Sequence, residues 1–388
     1  MRILIYSHAF APKIGGVETV VMSLATGLAR AAGTNGIENI NITVVTHTLR
    51  GSFNDRTLPF GVVREPSLAK LVRLVRKADV LHLAGPVLLP IVLGLIFRKP
   101  VVVEHHGFQA ICPNGQLFHE PTQTHCPGHF MAGTHMKCIE CNVRSGWFQT
   151  LKLWVLTFPR HGLCRWVAVN VAPTEWLARL LQLKHTTVIY HGLPSEHASE
   201  LSPVPSHVLT FAYVGRLVST KGVQTLLIAT KLLRTEGFSL KIKIIGDGPE
   251  RKRLEKAAAD LGLNDVTEFM GHVSADRFEE EISNAATIVM PSLAGEVFGM
   301  VAAENMARGK LVICSDIGAI GEVVGDAGLS FPPGDASALA GCMRSVLESP
   351  ELARRLGRKA HTRAAEFDAA SMLRRHLDVY RDLAARSQ

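Results

Sequence analysis

A chain of 388 residues exceeds what one ordinary hydrophobic core holds and fits two domains of common size. Hydrophobic residues at 47% and charged residues at 20% exclude an intrinsically disordered chain. The longest apolar run, Val87 to Phe97, is broken by Pro90 and Gly94 and falls short of the roughly 20 residues a membrane-spanning helix needs. The net charge of +8 is uneven, with 19 Lys/Arg against 9 Asp/Glu in residues 1–192 and 23 against 25 in residues 193–388. A basic first half suits an anionic acceptor, a membrane surface rich in acidic lipid, or solubility alone. Met1 to Tyr6 enters a strand pattern at once rather than a secretory leader, so the chain reads as cytoplasmic. Its seven cysteines then argue against a disulfide framework.

In chain order, Ile3–Ser7, Ile42–Thr46, Val80–Leu83 and Val101–Glu104 read as short buried strands. Between the first two, Val17, Val20, Val21, Leu24 and Leu28 recur at helical spacing. Trp166–Val169 and Val188–Tyr190 continue the strand series. Residues 193–207, LPSEHASELSPVPSH, have three prolines and no period, which marks a linker. Strands then restart at Leu209–Val214, Lys241–Ile245, Thr267–Met270, Thr287–Met290 and Leu311–Cys314. Helical patterns follow at Val223–Leu233, Glu250–Leu261, Arg277–Asn284, Val301–Arg308 and Ala336–Leu347. Such alternation predicts parallel sheets covered on both faces. The expected fold class is α/β, two doubly wound Rossmann-like domains facing across a cleft, with ligands at the carboxyl ends of the strands. The domains are 1–192 with a Cys/His-rich insertion at about 108–145, the linker 193–207, and 208–388. The last helix is a candidate to pack back on the first domain.

Three motifs carry chemistry. Gly15-Gly16-Val17-Glu18 lies between a strand and its helix, where backbone N–H groups face an anion; a plain strand-to-helix turn looks the same. Gly215-Arg216-Leu217-Val218-Ser219-Thr220-Lys221-Gly222 follows a strand, and its two cations beside a helix start suit a diphosphate. Glu296-Val297-Phe298-Gly299-Met300, followed by Glu304 about two turns into a helix, offers two carboxylates for vicinal hydroxyls.

With these motifs in this order the sequence resembles the family four retaining glycosyltransferases of the GT-B fold. Gly246-Asp247-Gly248-Pro249, Asp316-Ile317-Gly318-Ala319-Ile320-Gly321-Glu322 and Phe331-Pro332-Pro333-Gly334-Asp335 add to the likeness, which is densest from residue 209 to 335. The resemblance implies a hexosyltransferase-type enzyme moving a sugar from a nucleotide-sugar donor to a hydroxyl acceptor, lipid-linked, a growing glycan or a small molecule. It implies that Arg216 and Lys221 bind the donor diphosphate, and that Glu296 holds the transferred sugar with Phe298, Gly299 and Met300 nearby. Glu304 would hold the ribose, Gly16 would approach from the opposite domain, and His106 would lie near the reacting centre with His105 as its rival. The family often has Asn-Gly where this chain has His191-Gly192. No Asp-x-Asp occurs, so no divalent ion is expected in catalysis. Diphosphate departure with same-face attack by the acceptor is the expected mechanism, because both glutamates are committed to binding.

Cys112, Cys126, Cys138 and Cys141 cluster after His106, and the closing Cys-x-x-Cys suits one side of a structural zinc site. A reducible cross-link and four reduced thiols are the alternatives. Cys164, Cys314 and Cys342 read as buried small hydrophobes. Trp147 to Trp166 and Ser67 to Lys77 combine apolar and basic residues, as do both a peripheral membrane surface and an ordinary domain helix. A nucleotide-sugar epimerase or cleaving enzyme of the same fold is the alternative activity. A nucleic-acid-binding protein is the alternative of another class, although no nucleic acid is expected, since the basic residues form no stripe.

Overall fold

Buried strands and one-sided helices alternate into two parallel sheets in the computed structural model. The structure describes residues 1–13, 15–31, 40–143, 146–193 and 209–386. The expected linker 193–207 lies outside them except for Leu193. By contacts the chain divides into two compact units. One comprises Met1–Leu117, Pro127–Pro194 and Phe367–Gln388; the other comprises Phe118–Cys126 and Ser195–Glu366. Part of the expected insertion, Phe118–Cys126, thus groups with the second unit.

The first unit is built on β1 (Arg2–Ser7), β2 (Asn41–Thr46), β3 (Gly61–Arg64), β4 (Val80–Ala84) and β5 (Val101–Glu104). A separate antiparallel pair, β6 (Phe118–His119) and β7 (Thr124–His125), precedes its last strands, β8 (Val169–Ala172) and β9 (Thr186–Val188). The spatial order β3-β2-β1-β4-β5-β8-β9 is parallel throughout and reverses direction between β1 and β4. Helices α1 (Gly16–Ala31), α2 (Leu68–Lys77), α3 (Leu88–Ile96), α4 (His135–Asn142), α5 (Trp147–Cys164) and α6 (Glu175–Leu181) follow the strands. In α1 the predicted stripe is the buried one, Val20, Val21, Leu24 and Leu28, and each such side chain contributes about 1.5–3 kcal/mol.

The second unit continues with β10 (Leu209–Val214), β11 (Leu240–Ile245), β12 (Thr267–Gly271), β13 (Thr287–Met290), β14 (Leu311–Ser315) and β15 (Leu329–Phe331). They lie in the order β12-β11-β10-β13-β14-β15, again parallel, and reverse between β10 and β13. Around them pack α7 (Val223–Thr235), α8 (Arg251–Asp260), α9 (Ala275–Ser283), α10 (Met300–Ala307), α11 (Ile320–Val324), α12 (Ala336–Glu348) and α13 (Pro350–Ala364). The last helix, α14 (Ala369–Ala385), belongs to the first unit, where it packs on α1 and β4.

Two predicted strands move. Trp166–Val169 gives way to β8 because α5 runs to Cys164 and leaves Trp166 77% exposed in the turn. Val188–Tyr190 gives way to β9, three residues at the sheet edge. β3 and β15 have no counterpart in the sequence reading; both are short edge strands without a continuous buried run.

Candidate active site

In the second unit the two loops at the reversal of strand order carry the predicted donor residues. The loop after β10 is pinned to the loop after β13 by Leu293 N–H donating to the Thr220 carbonyl at 2.8 Å. At Gly222 (φ +63°) a Cβ would stand 2.0 Å from the Pro291 carbonyl oxygen, so the two backbones meet where only glycine fits. That approach brings Lys221 onto Glu296: Lys221 Nζ donates to Glu296 Oε1 at 2.6 Å, and Ser292 Oγ donates to the same oxygen at 2.8 Å. The second oxygen, Oε2, takes no hydrogen bond among the described residues. Ala319 N–H donates to the Glu296 carbonyl at 2.9 Å, fixing the loop from its other side.

Arg216 is exposed, and its guanidinium makes no hydrogen bond or ion pair among the described residues. Its backbone is held, since Tyr213 Oη donates to the Arg216 carbonyl at 2.8 Å and Leu217 N–H donates to the Asp247 carbonyl at 2.9 Å. Burial, reinforced by Glu296, raises the Tyr213 phenol, so it stays a donor. Phe298 is buried, Gly299 precedes α10 without a side-chain cap, and Met300 opens the helix. The first N–H groups of a helix lack intrahelical partners. Glu304, just over one turn into α10 rather than the two expected, is half-buried and its carboxylate makes no hydrogen bond or ion pair among the described residues. Burial raises its carboxyl above the usual range, with Arg308 opposing.

In the first unit α1 begins at Gly16, where a Cβ would meet nothing within 4 Å. The histidine pair after β5 separates cleanly. His105 is sealed, its Nε2 2.9 Å from Asn170 Oδ1, and burial pulls it down to about 4. His106, its side chain 6% exposed, stacks on His191, ring centroids 5.1 Å apart and 23° from parallel. Glu104, at the end of β5, is fully buried. Although burial alone would raise it, the surrounding histidines, His106 first, hold its carboxyl well below the usual range. The sequence reading gave no role to Ser292, Asn170, Glu104, His82 or His376. His82 sits inside an apolar strand and His376 on an arginine-rich helix, so neither stands out by pattern.

Cys138 and Cys141, one turn apart on α4, are buried with Cys112 in the first unit, and Asn114 lies between Cys112 (3.0 Å) and Cys141 (3.5 Å). Cys126 is buried at the end of the segment that groups with the second unit. Cys164 and Cys314 are buried thiols that burial pushes up to about 12. Cys342 is only half-buried, a correction to the sequence reading, and its Sγ lies 3.6 Å from the Ser330 carbonyl oxygen.

Parallel sheets that reverse strand order define a doubly wound class of α/β protein, in which ligands bind at the carboxyl ends of the strands beside the reversal. Residues 197–363 match the family model of glycosyl transferases, group 1. The glycogen synthase of Mycobacterium tuberculosis is 35% identical over 205 residues, 51% of this chain and 49% of that protein. The chain thus spans about half the length of the curated relatives it matches. Among solved structures, sucrose-phosphate synthase from Thermosynechococcus elongatus superposes with a TM-score of 0.72 at 20% identity over 99% of each chain. Anabaena HepE in complex with UDP gives 0.72 at 19% identity, over 98% of this chain and 100% of that one. These likenesses establish the GT-B fold.

Proposed function

We propose that the chain transfers a sugar from a nucleotide-sugar donor to a hydroxyl acceptor with retention of anomeric configuration. The observation that carries this reading is the Lys221–Glu296 contact beside the uncapped start of α10. A departing nucleoside diphosphate gathers negative charge, which Arg216, Lys221 and the α10 N–H groups stabilise as the glycosyl bond breaks. Oε2 of Glu296 accepts hydroxyls of the sugar, and Glu304 accepts those of the ribose. Neither glutamate is left to act as a nucleophile, so the acceptor oxygen attacks from the face that the diphosphate leaves. Gly16 is proposed to approach the donor phosphate or the acceptor, and His106 to stand near the reacting centre. The test is a panel of nucleotide sugars incubated with and without acceptors, reading nucleoside diphosphate release and the anomeric configuration of the product. Arg216→Ala and Lys221→Ala should each lower turnover by orders of magnitude. Full activity in both refutes the leaving-group role, and sugar isomerisation without acceptor favours the epimerase.

A lipid-linked acceptor at an anionic membrane is the finer reading we favour. On α5 the outward face is apolar: Trp147, Phe148, Leu151, Val155 and Phe158 are exposed, with Trp166 just beyond. Lys152 and Arg165 are exposed on the same stretch. A helix in water ordinarily turns such a stripe inward, and an interfacial helix turns it to lipid. By contrast α2 buries its Leu71 and Val75 and shows its basic side. No helix among the described residues is long and apolar enough to cross a membrane. A structural zinc on the cysteines is a separate proposal that no three-ligand cysteine cluster among the described residues supports; cobalt(II) thiolate charge-transfer bands that Cys138→Ser with Cys141→Ser abolishes are its test, and a cobalt-loaded chain without such bands removes it.

A further inference from the structure

The first unit buries a carboxylate that no aligned donor satisfies. Glu104 has no exposed surface, and among the described residues neither of its oxygens has an aligned hydrogen-bond partner, although histidine nitrogens stand 3.1 to 3.7 Å away. A charge buried without aligned hydrogen bonds costs several kcal/mol, and the surrounding histidines compensate it either as cations or as fellow ligands of a cation. Two fully buried histidines face it. His82 Nε2 stands 3.1 Å and His376 Nε2 3.7 Å from Glu104 Oε2, and neither nitrogen has a hydrogen-bond partner. The three ligand atoms all lie within 4.8 Å of one another. From this geometry we propose a metal site: His82, Glu104 and His376 hold a divalent transition-metal ion, of which zinc fits the donors best.

The topology brings these side chains together. Ala84 pairs with Glu104, and His82 pairs with Val102, on neighbouring strands β4 and β5. His82 and Glu104 therefore lie on one face two positions apart, and α14 delivers His376 from above. Zinc binds imidazole nitrogen and carboxylate oxygen at about 2.0–2.2 Å. Ligand atoms around one such ion are thus about 3–3.5 Å apart, and the separations of 3.1 and 3.7 Å bracket that range.

The outer contacts point the same way. His376 Nδ1 is 2.9 Å from the Met372 carbonyl oxygen, to which it can only donate. In a neutral ring that leaves a lone pair on Nε2, facing a carboxylate oxygen. Two lone pairs in contact repel, and a cation between them turns the contact favourable. His82 Nδ1 is 2.8 Å from Tyr380 Oη, which accepts from it when Nε2 binds metal. Metal-ligating histidines ordinarily have such a partner on the other nitrogen. Both Tyr380 and His376 come from α14, so the ion would fasten the last helix of the chain to the sheet of the first unit. His106 Nε2, 3.5 Å from the same oxygen, is the nearest further donor.

The experiment uses the full chain, stripped with chelator and then loaded with zinc or cobalt(II). The cobalt form should show ligand-field bands that His82→Ala and His376→Ala abolish and that Cys138→Ser with Cys141→Ser leaves in place. Each histidine variant should lose one equivalent of zinc relative to the native chain. Tyr380→Phe should weaken zinc about tenfold or more. Equal metal content in the native chain and in folded His82→Ala and His376→Ala overturns the site. If those variants do not fold, the native chain decides. Chelator should lower its Tm and zinc restore it, with nitrogen and oxygen rather than thiolate bands from cobalt; a native chain with no such bands overturns the site as well.

Discussion

Gly222→Ala isolates the contact that sets Lys221 against Glu296. Two costs add at this position. An L-residue in the left-handed region costs about 1–2 kcal/mol, and Gly222 has φ +63°. The added methyl would also stand 2.0 Å from the Pro291 carbonyl oxygen and 3.1 Å from Leu293 Cγ. The oxygen belongs to a backbone tied by the Leu293 N–H to Thr220 carbonyl hydrogen bond, so it cannot rotate aside as a flexible side chain would. Relief needs a backbone shift of more than 1 Å from a contact of ordinary length (roughly 3.4 Å), which we put at about 2 kcal/mol beyond the φ cost. Gly262→Ala is the matched control, since Gly262 has φ +69° in the same unit with nothing within 4 Å of the added methyl. Urea unfolding of both variants against the native chain, followed by a probe in the second unit, should give about 1–2 kcal/mol for Gly262→Ala and about 3–4 kcal/mol for Gly222→Ala. Donor-dependent turnover should fall only in Gly222→Ala. Equal losses in the two variants would show that the close approach is not what fixes this loop.

Three further outcomes are expected. A carboxyl raised by burial, as in Glu304, holds its proton better folded than unfolded; its contribution is favourable at low pH and lost as pH rises through the folded value. Glu304→Gln should therefore be more stable than the native chain at neutral pH but not near pH 4, while nucleoside diphosphate binding, read by calorimetry, weakens about ten- to a hundredfold; unchanged binding removes Glu304 from the donor site. Lys310, whose Nζ donates to the Ser283 and Ala285 carbonyls at 2.9 Å each, is pulled by burial and by Arg308 to about 8 from an ordinary 10.5. It holds its proton less well folded than unfolded, so stability relative to Lys310→Met should rise between pH 8 and 10.5 by up to about 3 kcal/mol; a flat difference in urea midpoint contradicts the shift. Trp147→Ser with Phe148→Ser should lower partitioning onto vesicles of anionic lipid at least about tenfold, and sedimentation unaffected by the pair would free α5 from a membrane role.

The periodicity of the sequence was enough to place the long elements. Leu24 and Leu28 in α1, and the apolar runs of β1, β10 and β13, announce burial by spacing alone, because a helix or strand with one wet face must repeat at its own period. Edge strands β3 and β15 escaped since half-exposed strands carry no continuous apolar run. Trp166 misled because an aromatic next to a valine reads as strand, whereas the preceding helix ends only at Cys164. At the site, Lys221, Glu296 and Glu304 stood out as charges among glycines at strand ends. Their pairing did not, since 75 residues separate Lys221 from Glu296 and only the β10–β13 neighbourhood closes that gap. His105 and His106, alike in sequence, likewise differ only in space, where Asn170 from β8 meets the His105 ring. Glu104, His82 and His376 meet for the same reason: strand register puts two of them on one face and a helix from the far end of the chain supplies the third. Sequence spacing determines which residues share an element; the order of strands in the sheet decides which of them touch.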